Sequence, residues 1–187
     1  MWLIAVAGMM LSANMGELPA WTFDTDAQGW TANAHLKNVA VKDGKLCADA
    51  IDWDPFFTIS GLEFEAKPWQ YVIVSLTANR DGQGELFWTG ETTGQNGGFS
   101  QEKSTRFNIQ GNGQPQDIVI TPFWQAEKTI RQLRLDVYNG AHFEIDQIRV
   151  VEWGGGTPPL TDTYSWTFNG DVKPWQFDPK STDLFSP

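Results

Sequence analysis

In YVIVSLTA, residues 71–78, Val72, Val74 and Leu76 fall on one side of an extended chain, and Tyr71, Ser75 and Thr77 fall on the other. Only Ile73 is out of step. RQLRLDVY, residues 131–138, repeats the pattern, with Leu133, Leu135 and Val137 facing one way and Gln132, Arg134, Asp136 and Tyr138 the other. Successive side chains of a strand point to opposite faces, so period-two alternation marks strands. A strand apolar on one side alone belongs to a sheet packed on a core and open to solvent. That requirement constrains the fold more than any other feature of the chain.

Helical periodicity is hard to find after residue 20. Short β-branched and aromatic runs between turn signals place strands near 20–24, 37–42, 45–50, 56–65, 69–78, 84–89, 104–110, 116–121, 131–138 and 142–152. KDG at 42–44 reads as a tight hairpin, and PFWQAEKTIRQ as the one stretch able to hold a helical turn. This many half-apolar strands make two sheets face to face: an all-β, two-sheet antiparallel β-sandwich.

The chain also repeats itself. WTFDTDAQGW at 21–30 and WTFNGDVKPW at 166–175 agree at five positions with a constant offset of 145. Between them, GGGTPPLTDT has the composition of a linker. The organisation expected is a leader over 1–19, a sandwich module over 20–153, a Gly/Pro/Thr linker over 154–163, and the start of a second, truncated copy over 164–187. The alternative is that 164–187 adds a strand to the first module.

The apolar run from Trp2 to Leu11 is too short to span a bilayer and matches the core of a secretory signal, although no Lys or Arg precedes it. A secreted or cell-surface location follows, with no membrane insertion of the mature chain. The 23 acidic against 13 basic residues give a net charge of -10, which repels phosphate backbones and anionic lipid and excludes nucleic acid as a partner. Cys47 is the only cysteine, inside a strand-like run, and reads as a buried packing residue. With only His35 and His142 besides, a zinc site or Cys–His pair has little to work with.

WTFDTDAQGW, VAVKDGKL, DWDPFF, YVIVSLTA, GELFWT and FEIDQIRVVEW, in that order over about 20–153, resemble the galactose-binding-like jelly rolls found as carbohydrate-binding modules. The resemblance implies a jelly-roll topology and non-catalytic binding of polysaccharide or other glycan. It also implies attachment to further domains of a secreted polysaccharide-active protein. In such modules a structural calcium often ties the first strand to the last. Asp24, Asp26 and Asp146 are the candidates here, against a plain role for the first two as turn-formers.

Two other functions stand beside glycan binding: a structural or adhesive spacer of the same fold, and a small jelly-roll glycanase. Laminarinase-type hydrolases carry Glu-x-Asp-x-x-Glu on one strand. FEIDQIR matches with Glu144 and Asp146 but has Arg149 at the last position, so the second catalytic carboxylate is missing from it.

For binding, flat aromatic rings that stack on sugar C–H faces matter most. Trp21, Trp30 and Trp153 sit at strand ends and read as packing residues. Trp53 and Trp124 lie in loops beside proline, where a ring can face solvent. Trp88 lies near the polar face that carries Arg134, Asp136 and Tyr138, which supply hydrogen bonds, and the pattern leaves the direction of its ring open. The overall acidity disfavours strongly anionic glycans, with Arg134 as the one group suited to receiving a carboxylate. The plainer alternative is a solvated sheet face with an ordinary Arg–Asp pair.

Overall fold

The computed structural model describes residues 18–152. All but the last two residues of the leader, Trp153, the linker and the restart at 164–187 lie outside the described residues.

The strands are β1 (Ala20–Trp21), β2 (Thr31–Ala32), β3 (Leu36–Lys42), β4 (Lys45–Ala50), β5 (Phe56–Glu65), β6 (Gln70–Ala78), β7 (Gly82–Thr89), β8 (Ser104–Ile109), β9 (Gln116–Ile120), β10 (Thr129–Asp136) and β11 (His142–Glu152). They form a six-stranded sheet of order β3-β4-β11-β6-β9, with β1 also on β11, and a five-stranded sheet of order β2-β5-β10-β7-β8. All pairings are antiparallel. β4 pairs β11, β5 pairs β10, β6 pairs β9 and β7 pairs β8. This nesting is a two-stranded ribbon with the β7–β8 connection at its tip, wrapped so that successive segments alternate between sheets. It is the jelly-roll solution to closing a β-core.

Local chemistry explains the joints. At the hairpin, Asp43 and Gly44 both take positive φ, 51° and 74°, which matches a two-residue type I′ turn between paired Lys42 and Lys45. The expected strand at 20–24 stops at Trp21, because Phe23 adopts φ 56° and swings fully into the core. Gln28 Oε1 accepts the N–H groups of Thr22 and Phe23 at 2.7 and 3.1 Å, replacing the lost ladder bonds. β10 starts earlier than expected and ends at Asp136, so Val137 and Tyr138 lie beyond the strand. The expected helical turn is a 3-10 segment at Gln125–Glu127, but it is not alone: Gln95–Gly98 and Gln101–Lys103 form two more between β7 and β8, in a polar, glycine-rich stretch with no apolar period to mark them.

Both alternating runs bury the side their pattern marks. Val72, Val74, Leu76, Leu133, Leu135 and Val137 join Phe57, Phe143, Ile145 and Leu86 in one core between the sheets. Each such side chain contributes about 1.5–3 kcal/mol. Ile73 is also buried, but on the outer side of β6 between Val119 and Arg149, outside that core. Cys47 corrects the sequence expectation. β4 alternates with Leu46, Ala48 and Ala50 inward, which leaves Cys47 half-buried on the outer face.

Trp21 and Trp30 pack edge to face in the core at 5.4 Å, as expected of packing residues. The turn that separates them is tied down where Asp26 Oδ1 accepts the Gln28 N–H at 2.7 Å. Among the described residues, Trp30 Nε1 is the one buried side-chain polar atom without a hydrogen-bond partner.

Candidate functional site

The outer face of the five-stranded sheet gathers the polar groups that the alternation predicts. Ladder register sets three rows across β5, β10 and β7: Phe56–Asp136–Glu85, Thr58–Arg134–Phe87 and Ser60–Gln132–Thr89. Arg134 is at the centre. Its Nε donates to Asp136 Oδ1 at 2.6 Å, and its Nη2 donates to Asp136 Oδ2 at 2.7 Å and to Asp54 Oδ1 at 2.8 Å. The guanidinium lies 3.8 Å over the Phe56 ring and 5.2 Å from the Phe87 ring. Burial pushes the Asp136 carboxyl up to about 6, against the downward pull of Arg134 and with Asp54 and Glu85 adding to the rise.

A long connection, residues 90–103, walls one side of this face. Gln132 Nε2 donates to the carbonyls of Glu91 and Gly97 at 2.6 and 2.7 Å, and Ser60 Oγ donates to Gln132 Oε1 at 2.9 Å. Glu85 accepts the Ser104 hydroxyl at 2.7 Å and the Gln101 side-chain amide, and pairs with Arg106 at 3.4 Å. A hollow of about 550 Å³ lies within this wall, lined by Glu91, Asn96, Phe99 and Lys103 among others.

The opposite rim is the β4–β5 loop, and it presents Trp53 with 79% of its surface exposed. The loop is fixed on both sides. Asn33 donates its side-chain amide to the Asp54 carbonyl at 2.6 Å and accepts the Phe56 N–H at 3.3 Å, and Val137 N–H reaches the Pro55 carbonyl at 3.0 Å. The His35 ring stands edge-on to Trp53 at 5.7 Å, with Nδ1 3.1 Å from Asp52. Trp53 is therefore one residue from the carboxylate that grips Arg134.

The remaining expected site residues lie elsewhere. Trp124 is 0% exposed: it points into the core, edge-on to Phe64 and Trp88 at 5.4 and 6.3 Å, and its indole N–H donates to Gln70 Oε1 at 3.0 Å. The neighbouring Phe123 takes the solvent position, at 71% exposure. Trp88 shares the inward parity of Leu86 and is 3% exposed, so neither of these tryptophans presents a ring to a ligand. Tyr138, past the end of β10, leaves the Arg134 face. Its ring packs edge-on to Phe143 at 5.0 Å and its hydroxyl donates to the Arg80 carbonyl, while burial pushes the phenol up to about 12.

Asp24 Oδ2 accepts the Thr22 hydroxyl at 2.6 Å, and Asp26 serves its own turn, while Asp146 stands outward at the β11 bulge. Among the described residues no group of three His, Cys, Asp or Glu side chains comes together to hold a metal. Calcium takes about six to eight oxygen ligands, so these side chains alone do not assemble a site for it.

Asp54, Phe56, Phe87 and Ser60, which the sequence does not mark as site candidates, complete the face with Gln132, whose outward side the alternation gives. The outward parity of Phe56, Thr58 and Ser60 on β5 was available as a signal. The link from Asp54 to Arg134 was not, because 80 positions separate them.

The six-stranded sheet has its own outer groove of about 910 Å³, lined by Lys45, Ser75, Thr77, Asp117, Val119 and Asp146 among others. Glu144 lies close to it. Lys45 holds that carboxyl below the usual range through a 2.7 Å hydrogen bond, which makes it a poor proton donor at neutral pH. On the other face, Asp136 and Glu85 are cross-strand neighbours, but their oxygens are committed to Arg134, Ser104, Gln101 and Arg106.

No known family model matches the sequence. No curated protein matches it closely enough to count as a relative. Solved structures do. The second N-terminal cellulose-binding domain of β-1,4-glucanase C from Cellulomonas fimi superposes with a TM-score of 0.51 at 18% identity, over 72% of this chain and 92% of that domain. A low-affinity xylan-binding module from Roseburia intestinalis superposes with a TM-score of 0.50 at 11% identity, over 75% of this chain and 98% of the module. Identities this low speak to architecture alone. This chain has the two-sheet antiparallel β-sandwich fold of carbohydrate-binding modules.

Proposed function

We propose that this chain is a non-catalytic glycan-binding module, with its site on the outer face of β5, β10 and β7 and Trp53 at the rim. The observation that carries the reading is Trp53 itself, 79% exposed on a loop held by Asn33, Val137 and Arg134. An indole left largely in water forgoes about 3–5 kcal/mol of burial, and a rigid ring loses little entropy when a sugar stacks on it. The sheet behind it adds polar groups that reach solvent, the Asp54 carboxylate and the Ser60 and Thr58 hydroxyls, beside the half-buried Phe56 ring. Structures of the same fold are named for cellulose and xylan, which makes polysaccharide the ligand class to test first.

The spacer alternative leaves the fixed, exposed indole without a role. The glycanase alternative needs an uncommitted acid opposite a second carboxylate, and Asp136, the acid with the raised pKa, is chelated by Arg134. Calcium has no part in this reading.

We place the module in a secreted or cell-surface protein on the strength of the apolar leader. Among the described residues no helix is long and apolar enough to cross a membrane. The tandem arrangement draws support from which positions recur after the linker. Trp166, Phe168 and Trp175 correspond to Trp21, Phe23 and Trp30, all three of which are buried in the described module.

The test is calorimetry or affinity electrophoresis on soluble cellulose derivatives, xylans and other plant and microbial polysaccharides. Binding without release of reducing ends is expected, lost in Trp53→Ala at unchanged fold. Reducing ends released in proportion to enzyme would reinstate the glycanase, and no binding to any glycan would favour the spacer.

A further inference from the structure

We infer that the Arg134 cluster is an anion filter: the outer face of the five-stranded sheet admits uncharged glycan and turns away glycan that carries carboxylates. The inference rests on the proposed glycan-binding reading and specifies which glycans that site takes. An arginine on a binding face usually announces a carboxylate or phosphate ligand, because its planar fork matches those groups. Here the Nε and Nη2 side of the fork is already taken. Three of its hydrogen bonds go to Asp136 and Asp54, and the Phe56 ring covers its flat side at 3.8 Å. Two carboxylates around one guanidinium leave a negative surplus, and a ligand carboxylate would have to displace Asp136 to gain the bidentate Nε/Nη2 edge.

The surplus extends across the face. Glu85 stands beside Asp136 with Arg106 as its counter-ion, and in the 90–103 wall Lys103 is shared between Glu91 and Glu127 at 3.5 and 3.0 Å. In these ion pairs three cations meet five carboxylates. Arg106, the cation with the most exposed side chain, is tied to an acid that is itself largely buried. A uronic acid laid along the face would meet more carboxylates than cations. Like charges a few ångströms apart in water already cost about a fivefold loss in affinity, and more where the face is shielded from solvent.

The experiment compares polysaccharides that share a backbone and differ in charge, using the full chain. Hydroxyethylcellulose is paired with carboxymethylcellulose, and unsubstituted xylan with glucuronoxylan, each at low and at about 0.5 M salt. The expected result is at least fivefold tighter binding of the uncharged member at low salt, with the gap narrowing at high salt as repulsion is screened. Asp54→Asn and Glu85→Gln, each checked for an unchanged melting curve, should narrow the gap at low salt as well. Equal or tighter binding of the anionic member in whichever pair binds would overturn the filter and leave the glycan reading standing. Failure of all four polysaccharides to bind would overturn the glycan reading, and the filter with it.

Discussion

Changing Trp124 to alanine asks whether the ring is scaffold or site. The indole is fully buried against Phe64 and Trp88. A buried tryptophan hides about 150–250 Å². At about 25 cal/mol per Å² that represents roughly 4–6 kcal/mol, of which the alanine methyl recovers a small part. Measured Trp→Ala losses in cores run about 3–5 kcal/mol. The lost hydrogen bond to Gln70 adds about 1 kcal/mol at most, because Gln70 Oε1 still accepts the Lys67 N–H at 2.9 Å. A total near 4–5 kcal/mol, divided by a urea slope of about 1–3 kcal/mol per molar, lowers the unfolding midpoint by about 2 M. Trp53→Ala, an exposed change, should stay within about 0.5 kcal/mol. Equilibrium urea unfolding followed by circular dichroism measures both. A Trp124→Ala midpoint within about 0.5 M of the parent, or a Trp53→Ala shift of similar size to that of Trp124→Ala, would refute the assignment of one ring to the core and the other to the rim.

Asp136 gives a pH signature of unusual sign. Its folded pKa, about 6, lies above the ordinary aspartate value, so its stabilising contribution is complete below about pH 4 and is lost as pH rises through 6. The stability of the parent relative to Asp136→Asn should therefore fall between pH 4 and 7, by on the order of 3 kcal/mol. Urea midpoints for both proteins at the two pH values measure it, and a flat or rising difference would contradict the burial argument. Since Asp24 and Asp26 serve their own turn, melting temperatures in millimolar calcium and in chelator should coincide. A calcium-dependent rise abolished by Asp24→Asn with Asp146→Asn would bring the metal site back.

How far the sequence could be read depends on whether a residue's fate is set along its strand or across the fold. Leu133 and Leu135 inward, and Arg134 and Asp136 outward, follow from parity alone, and so does the hairpin at Asp43–Gly44. Parity also reached Trp88, since Leu86 and Trp88 share a side of β7, but the sequence reading left its direction open. Phe123 and Trp124 show the limit. Two adjacent aromatics in a loop offer no alternation to extend, and a slip of one residue exchanges the exposed ring for the buried one. Tyr138 was misplaced for a related reason: its parity was counted past the point where β10 ends. The Asp54–Arg134 contact depends on which strands become neighbours, a property of the jelly-roll winding that no local pattern encodes.

The pairing of β1 with β11 has a mechanical consequence. Val150 N–H bonds the Pro19 carbonyl at 2.8 Å, so the two ends of the described chain lie side by side at one pole of the sandwich. β11 runs from the Trp53 pole to this one over 11 residues, roughly 35 Å of extended chain. Attachments made before Leu18 and after Glu152 share one anchor point, and the indole projects from the far pole like the head of a pin. Immobilising the module at Leu18 or at Glu152 should hold it by its base, with the stacking surface directed away from the support.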